Sequence, residues 1–449
     1  KLMVKYEQYK DSGIDWVGKV PTSWNRSRIK FLLSHSSAGV WGEDEKGNKN
    51  DIVCFRAADF DYSHGCLKLD NNTVRNIQQK QLEGRVLHKR DLLIEKSGGG
   101  DATPVGRIVR FNYDGIATCS NFMHFISVDK YNDDNYLFYY FYAMYANNVN
   151  VLYFNQTTGI QNLKVSEYLG QTIFLPSLKE QMTIANYLDK KCSEIDKVIS
   201  AQQKRIALLQ ELKQSVITHA VTKGLNPNVE MKDSGVEWID KIPSNWNIVR
   251  LKNDCSLKGR IGWNGLRSEE FEKESYAYLV TGQDFVSSDI DWSKCYQINK
   301  KRYDEDPCIQ LENGDLLITK DGTIGKIAKV SNMDKPACLN SGIFVLKQKT
   351  RKEFVQGYLY WSLYSDLLKE FNSYTSTGTT ILHLYQNVFE NMPLVVPPKK
   401  EQQEISDYLD KKTKAIDLSL SKAQHQVELL QEYKQSLITE VVTGKRKVC

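Results

Sequence analysis

From Ile195 to Ala220, apolar residues recur in alternating steps of four and three: Ile195, Ile199, Ile206, Leu209, Val216 and Ala220, with Gln202 and Lys213 as polar interruptions. The stripe returns as Ile416, Leu420, Ala423, Val427, Leu430, Leu437 and Val441, interrupted at Lys434. This spacing keeps one helix face apolar and predicts a coiled-coil seam whose polar layers fix register. Each stretch follows a proline, contains no Gly or Pro, and is rich in Leu, Lys, Glu and Gln. Helices of about 45 residues, ~65 Å long, outrun a single small domain. They are expected to pair with each other.

The intervening blocks carry shorter patterns. "DLLIEK" (91–96) and "DLLITK" (315–320) are brief apolar runs bounded by turn residues, hence strands, and "FMHFISV" and "IFVLKQ" are further strand candidates. "YLFYYFYAMY" and "YLYWSLYSDLLKEF" have helical length, with Tyr136, Tyr140 and Met144 on one face. Aromatics at helical spacing predict core more readily than a base-stacking platform.

These patterns occur twice. "DSGIDWVGKVPTSW" starts at Asp11 and "DSGVEWIDKIPSNW" at Asp233; residues 175–222 match 396–443 without a gap, with Glu180/Glu401, Gln181/Gln402, Tyr187/Tyr408 and Asp196/Asp417 identical. The order is opening motif, variable block and long helix, repeated once. That is a duplication, not a short-period solenoid. The predicted boundaries are 1–175 for the first opening motif and variable block, 176–224 for the first helix, 225–396 for linker, second opening motif and second block, and 397–449 for the second helix and tail.

Composition changes this picture little. No run approaches ~18 apolar residues, so no membrane span is expected. Nine cysteines without C-x-x-C read as reduced thiols of a cytoplasmic protein, and the histidines form no metal motif. The net charge of +5 permits nucleic-acid binding without arguing for it. Candidate chemistry is sparse. "EKSGGGDATPVGR" lacks the dinucleotide-loop spacing, and "DGTIGKIAK" lacks the P-loop gap. No methyl-donor loop or amino-methyltransferase signature is present. Asp91 and Glu95 beside Lys96 suggest a metal-dependent nuclease, but the second copy has Thr319 where Glu95 stands. The expectation is no catalysis, no metal and no cofactor in this chain.

Two pairs of loops carry the stronger signal. Glycines flanked by Lys96, Ser97 and Arg107, and by Lys320, Thr323 and Lys326, suit close backbone approach to phosphates. "NQTTGIQN", with Thr157, Thr158 and Gln161, and "TSTGTTILH", with Thr377 and Thr379, offer side chains able to read base edges. Ordinary turn chemistry at strand ends is the competing reading.

The "DSGxxWxxxxPxxW" opening, "GDLLITKDGTIGKIAKV" and "PPKKEQQEISDYLDKKTKAID" together resemble the specificity subunit of type I restriction–modification systems. The resemblance covers essentially the whole chain; the longer glycine loop of the first half departs from it. It implies an α+β architecture: two mixed α/β target-recognition domains separated by two long antiparallel helices in a coiled coil, with pseudo-two-fold internal symmetry. It further implies that each domain reads one half of a bipartite site in double-stranded DNA, while the helices set the spacing and dock two methyltransferase subunits. Motor–nuclease restriction subunits then join. S-adenosylmethionine, ATP and Mg are implied for those partners, not for this chain. Rival readings are a partnerless two-domain DNA-binding regulator and a fused nuclease or methyltransferase.

Overall fold

The strand Asp91–Glu95 is buried along its whole length and pairs antiparallel with Ile108–Arg110 on one side and Met123–Val128 on the other. It lies inside a six-stranded sheet in the order Leu33–Ala38, Met123–Val128, Asp91–Glu95, Ile108–Arg110, Cys66–Leu67, Phe60–Asp61. Leu93, Val109 and Phe125 share one core with Phe55, Phe111 and Cys119. Strand alternation leaves Leu92 and Ile94 on the opposite face, and they too are fully buried. A sheet covered on both faces explains why "DLLIE" is apolar throughout its middle rather than alternating.

In this computed structural model, which describes residues 5–157, 159–260, 266–286, 288–349, 353–375 and 384–448, the chain forms two units. The first comprises Lys1–Lys204 and Ala423–Cys449, the second Arg205–Lys422. The second unit repeats the central motif: Leu316–Thr319 lies between Ile343–Gln348 and Ile327–Lys329, antiparallel to both, and Cys255–Gly259 forms the far edge. A three-stranded sheet centred on Ala277–Val280 closes a further core around Leu317, Ala328 and Val345.

"YLFYYFYAMY" lies in the helix Asp134–Ala146, where Tyr136, Tyr140 and Met144 are core residues. The second run breaks into Gln356–Tyr364 and Asp366–Thr375, because Ser365 is extended at ψ 172°. The Asp366 N–H donates to Thr218 Oγ1 (3.0 Å), and that hydroxyl donates back to the Asp366 carboxylate (3.0 Å). The reciprocal bonds satisfy the new helix start.

The long helices span Leu178–Lys223 (46 residues) and Lys399–Val442 (44 residues). Each passes from one unit into the other, so each unit contains the start of one helix and the end of its partner. Among the described residues no helix is long and apolar enough to cross a membrane.

Candidate nucleic-acid interface

The repeated opening motif and the repeated Glu-Gln have one joint purpose. In the first unit, the Trp24 indole lies at the first helix's start, donating toward Glu180 (3.4 Å), and Tyr6 donates to the same carboxylate (2.6 Å). A Cβ added at Gly444, just past the end of the second helix, would collide with Pro21 and approach Trp24. In the second unit Trp246 donates to Glu401 (2.9 Å), and a Cβ at Gly224 would press on Trp246 and Glu401. Both glycines have positive φ, so they end a helix and admit the indole at once. Each opening motif thus clasps the start of its own domain's helix to the end of the other helix.

The adjacent glutamines fasten the helix to its domain. Gln181 donates to Pro176 O and Asn132 Oδ1 and accepts from the Asp133 N–H. Gln402 donates to Pro397 O and Glu353 O and accepts from the Val355 N–H. Farther along, Arg110 and Tyr139 both donate to Asp189, as Trp361 does to the equivalent Asp410. Sequence reasoning missed this aspartate, although its identity in both copies signalled it.

Of the seam residues in the first unit, Ile195, Ile199, Val427 and Leu437 are buried and Leu430 is half-buried. In the second, Ile416 is buried, while Ile206, Leu209, Val216 and Leu420 are half-buried. The predicted lysine layer is an ion pair made twice. Lys434 reaches Asp196 (2.7 Å) in the first unit, and Lys213 reaches Asp417 (2.7 Å) in the second. Within either unit the helices therefore run antiparallel, since each clasp joins a helix start to a helix end and each ion pair lies farther from both. Ile217 and Val221, outside the predicted stripe, are fully buried in the second domain's core beside Trp246 and Leu409.

The glycine loops differ from expectation. Arg107, expected at phosphate, donates twice to the buried Glu95 carboxylate (2.9 and 3.1 Å) and stacks on Tyr62 at 3.8 Å. Its fork is spent inside the domain. Ser97 is buried and donates to Asn162 (2.7 Å). Gln161, expected at base edges, is only 2% exposed and accepts from the Val105 N–H (3.1 Å). These three residues build the loop instead of presenting it. Lys96 is half-buried, its N–H bonded to Phe122 O. Thr157 ends the strand Phe154–Thr157; Thr158, Thr377 and Thr379 lie outside the described residues.

In the second unit the buried Thr319 replaces the Glu95–Arg107 lock. Its hydroxyl donates to Thr323 O and accepts from the Lys326 N–H (3.0 Å). Gly322 and Gly325 take the positive φ this tight loop needs. Thr323 and Lys326 are exposed at its rim, whereas Lys320 lies half-buried with its ammonium over the Phe344 ring at 4.9 Å. The nuclease candidates are also occupied. Glu95 holds Arg107, and Asp91 accepts from Ser127 (2.6 Å) and the His88 N–H (2.7 Å) while burial raises its pKa. Among the described residues no cluster of three or more His, Cys, Asp or Glu could hold a metal.

The profile of the family described as "Type I restriction modification DNA specificity domain" matches residues 24–207 and 243–429. The type I restriction enzyme MjaVIII specificity subunit of Methanocaldococcus jannaschii is 26% identical over 327 residues, 71% of this chain and 72% of that protein. The EcoKI specificity subunit of Escherichia coli (strain K12) is 20% identical over 206 residues, 46% of this chain and 44% of that protein. In fold, the chain resembles one from a structure concerned with complex assembly and conformational transition of the type I R-M system (TM-score 0.71, 16% identity, 94% of this chain and 98% of that one). It also resembles the HsdS subunit from Thermoanaerobacter tengcongensis (TM-score 0.50, 16% identity, 95% and 98%).

Proposed function

The chain belongs to the type I restriction–modification DNA specificity family, and from that membership we propose how it works: each recognition domain reads one half of a bipartite DNA site, and the paired helices fix the distance between the halves. The observation that carries this reading is the duplication of the mounting and not of the loops. The Trp–Glu clasp and the Asp–Lys pair are the same in both copies. The glycine loops are locked by different chemistry, Glu95–Arg107 in one and Thr319 in the other. Identical mounts bearing unlike readers suit an asymmetric site of constant spacing. A helix rises 1.5 Å per residue without internal slack, so paired helices act as a ruler.

The helices also dock two methyltransferase subunits, to which restriction subunits are added. The chemistry resides in those partners, which bring S-adenosylmethionine, ATP and Mg; this chain contributes sequence recognition in the cytoplasm. Incubating the purified chain with DNA and methyl donor, with and without the methyltransferase subunits, tests the division of labour. The expected result is site-specific methylation only when the subunits are present. Turnover by the pure chain above a contaminant control contradicts it.

A further inference from the structure

The strands Phe154–Thr157 and Ile160–Leu163 form a hairpin ribbon with Asn155 opposite Asn162, Gln156 opposite Gln161 and Thr157 opposite Ile160, and the two-residue strand Ser97–Gly98 adds to Ile160–Leu163 as a third strand. Paired residues share a face and neighbours alternate, so Asn155, Asn162 and Ile160 lie on one face. Gln161 and Leu163 lie on the other and are buried. The inner face is anchored by Gln161, which accepts from the Val105 N–H (3.1 Å); Asn150, in the turn Val149–Tyr153 just before the ribbon and 1% exposed, donates to the Val105 C=O (2.7 Å). The outer face is exposed, with Ile160 at 47%. On that face Ser97 donates to the Asn162 carbonyl oxygen (2.7 Å), while Asn162 itself is exposed. From Asn147 to Lys164 there is no Asp or Glu, so the segment offers a polyanion no repulsion.

We propose that this outer face is the base-reading surface of the first recognition domain, with Asn155 and Asn162 hydrogen-bonding base edges and Ile160 contacting a thymine methyl or other apolar edge. The major groove of B-DNA admits two strands side by side, as in this hairpin, and there Asn pairs bidentately with the adenine N6/N7 edge. Asn155 and Asn162, with Cβ atoms about 5 Å apart across the ribbon, reach neighbouring base pairs. Gln161 serves as a positioning residue that holds the ribbon against the glycine loop. The inference rests on the DNA-reading function above and adds which residues carry specificity in one half-site.

The test is selection from randomised duplexes by the full chain assembled with methyltransferase subunits, comparing wild type, Asn162→Ala and Asn155→Asp. Both substitutions are on an exposed face. Asn162→Ala is expected to lower discrimination about tenfold at one base pair of one half-site, leaving the other half-site unchanged. Asn155→Asp, which replaces a donor with an acceptor, is expected to shift preference toward a base presenting an amino group, as cytosine does. Unchanged motifs for both variants overturn the inference while leaving the DNA-reading function intact. An unchanged motif with lost subunit association assigns the ribbon to a protein interface and overturns it equally. A wild-type complex that selects no motif overturns the underlying function instead.

Discussion

Arg107 and Lys326 look alike in the sequence, each a basic residue closing a glycine loop, and differ in what surrounds them. Arg107 neutralises Glu95, which is 3% exposed, so Arg107→Ala strands a buried carboxylate. The expected loss is about 3 kcal/mol, read by chemical denaturation. Lys326 is exposed, and Lys326→Ala should change stability by less than ~0.5 kcal/mol. In the assembled complex it should reduce the slope of log affinity against log salt by about 0.9, the loss of one phosphate contact. Loop composition revealed the glycine-rich turns but not which polar groups face inward. That choice depends on partners distant in the chain: Asn162 for Ser97, Val105 for Gln161, Glu95 for Arg107. His124 supplies a pH test. Burial, then Lys96 and His35, push its pKa down to about 4. Between about 4 and 6.5 the unfolded chain therefore binds a proton that the folded one refuses, and stability falls as pH drops through that window. Wild type should lose on the order of 2 kcal/mol between pH 7 and 5 from this group, and His124→Asn should remove that part of the slope.

At the scale of elements, the long helices and central strands were legible because their patterns are local: a period near 3.5 without Gly or Pro, and apolar runs bounded by turns. The break at Ser365 was not, since it depends on Thr218 from a distant helix. Nor was the burial of Ile217 and Val221, because a heptad seam predicts a narrow stripe and the helix end sinks into a domain core. The lysine layer was visible as an interruption, but its partner was hidden outside the stripe at Asp196 and Asp417. Lys434 is largely buried and also donates to Ser63 O (3.0 Å). Lys434→Ala should cost about 2 kcal/mol in denaturation midpoint analysis. Lys434→Asp should cost more, and combining it with Asp196→Lys should recover part of the loss. No recovery in the double variant would show that the pair does not set helix register.

On the scale of the whole molecule, the account requires each half of the chain to be an interchangeable mount for a different reader. A fragment ending near Gly224 keeps one domain, one opening motif and one helix, but loses the helix end that Trp24 and Asp196 engage. Since Lys213 repeats Lys434 in the duplicated pattern, a second copy of the fragment can supply it, antiparallel, by two-fold symmetry. Sedimentation should show a dimer at micromolar concentration, and the dimer with methyltransferase subunits should modify an inverted repeat. The central claim, two unlike readers on one ruler, is tested most directly by mapping modified bases across a genome in cells expressing the full chain with its methyltransferase subunits. The account predicts a single motif of two different half-sites separated by a constant number of unspecified base pairs. A contiguous motif, or half-sites modified at variable spacing, would contradict it.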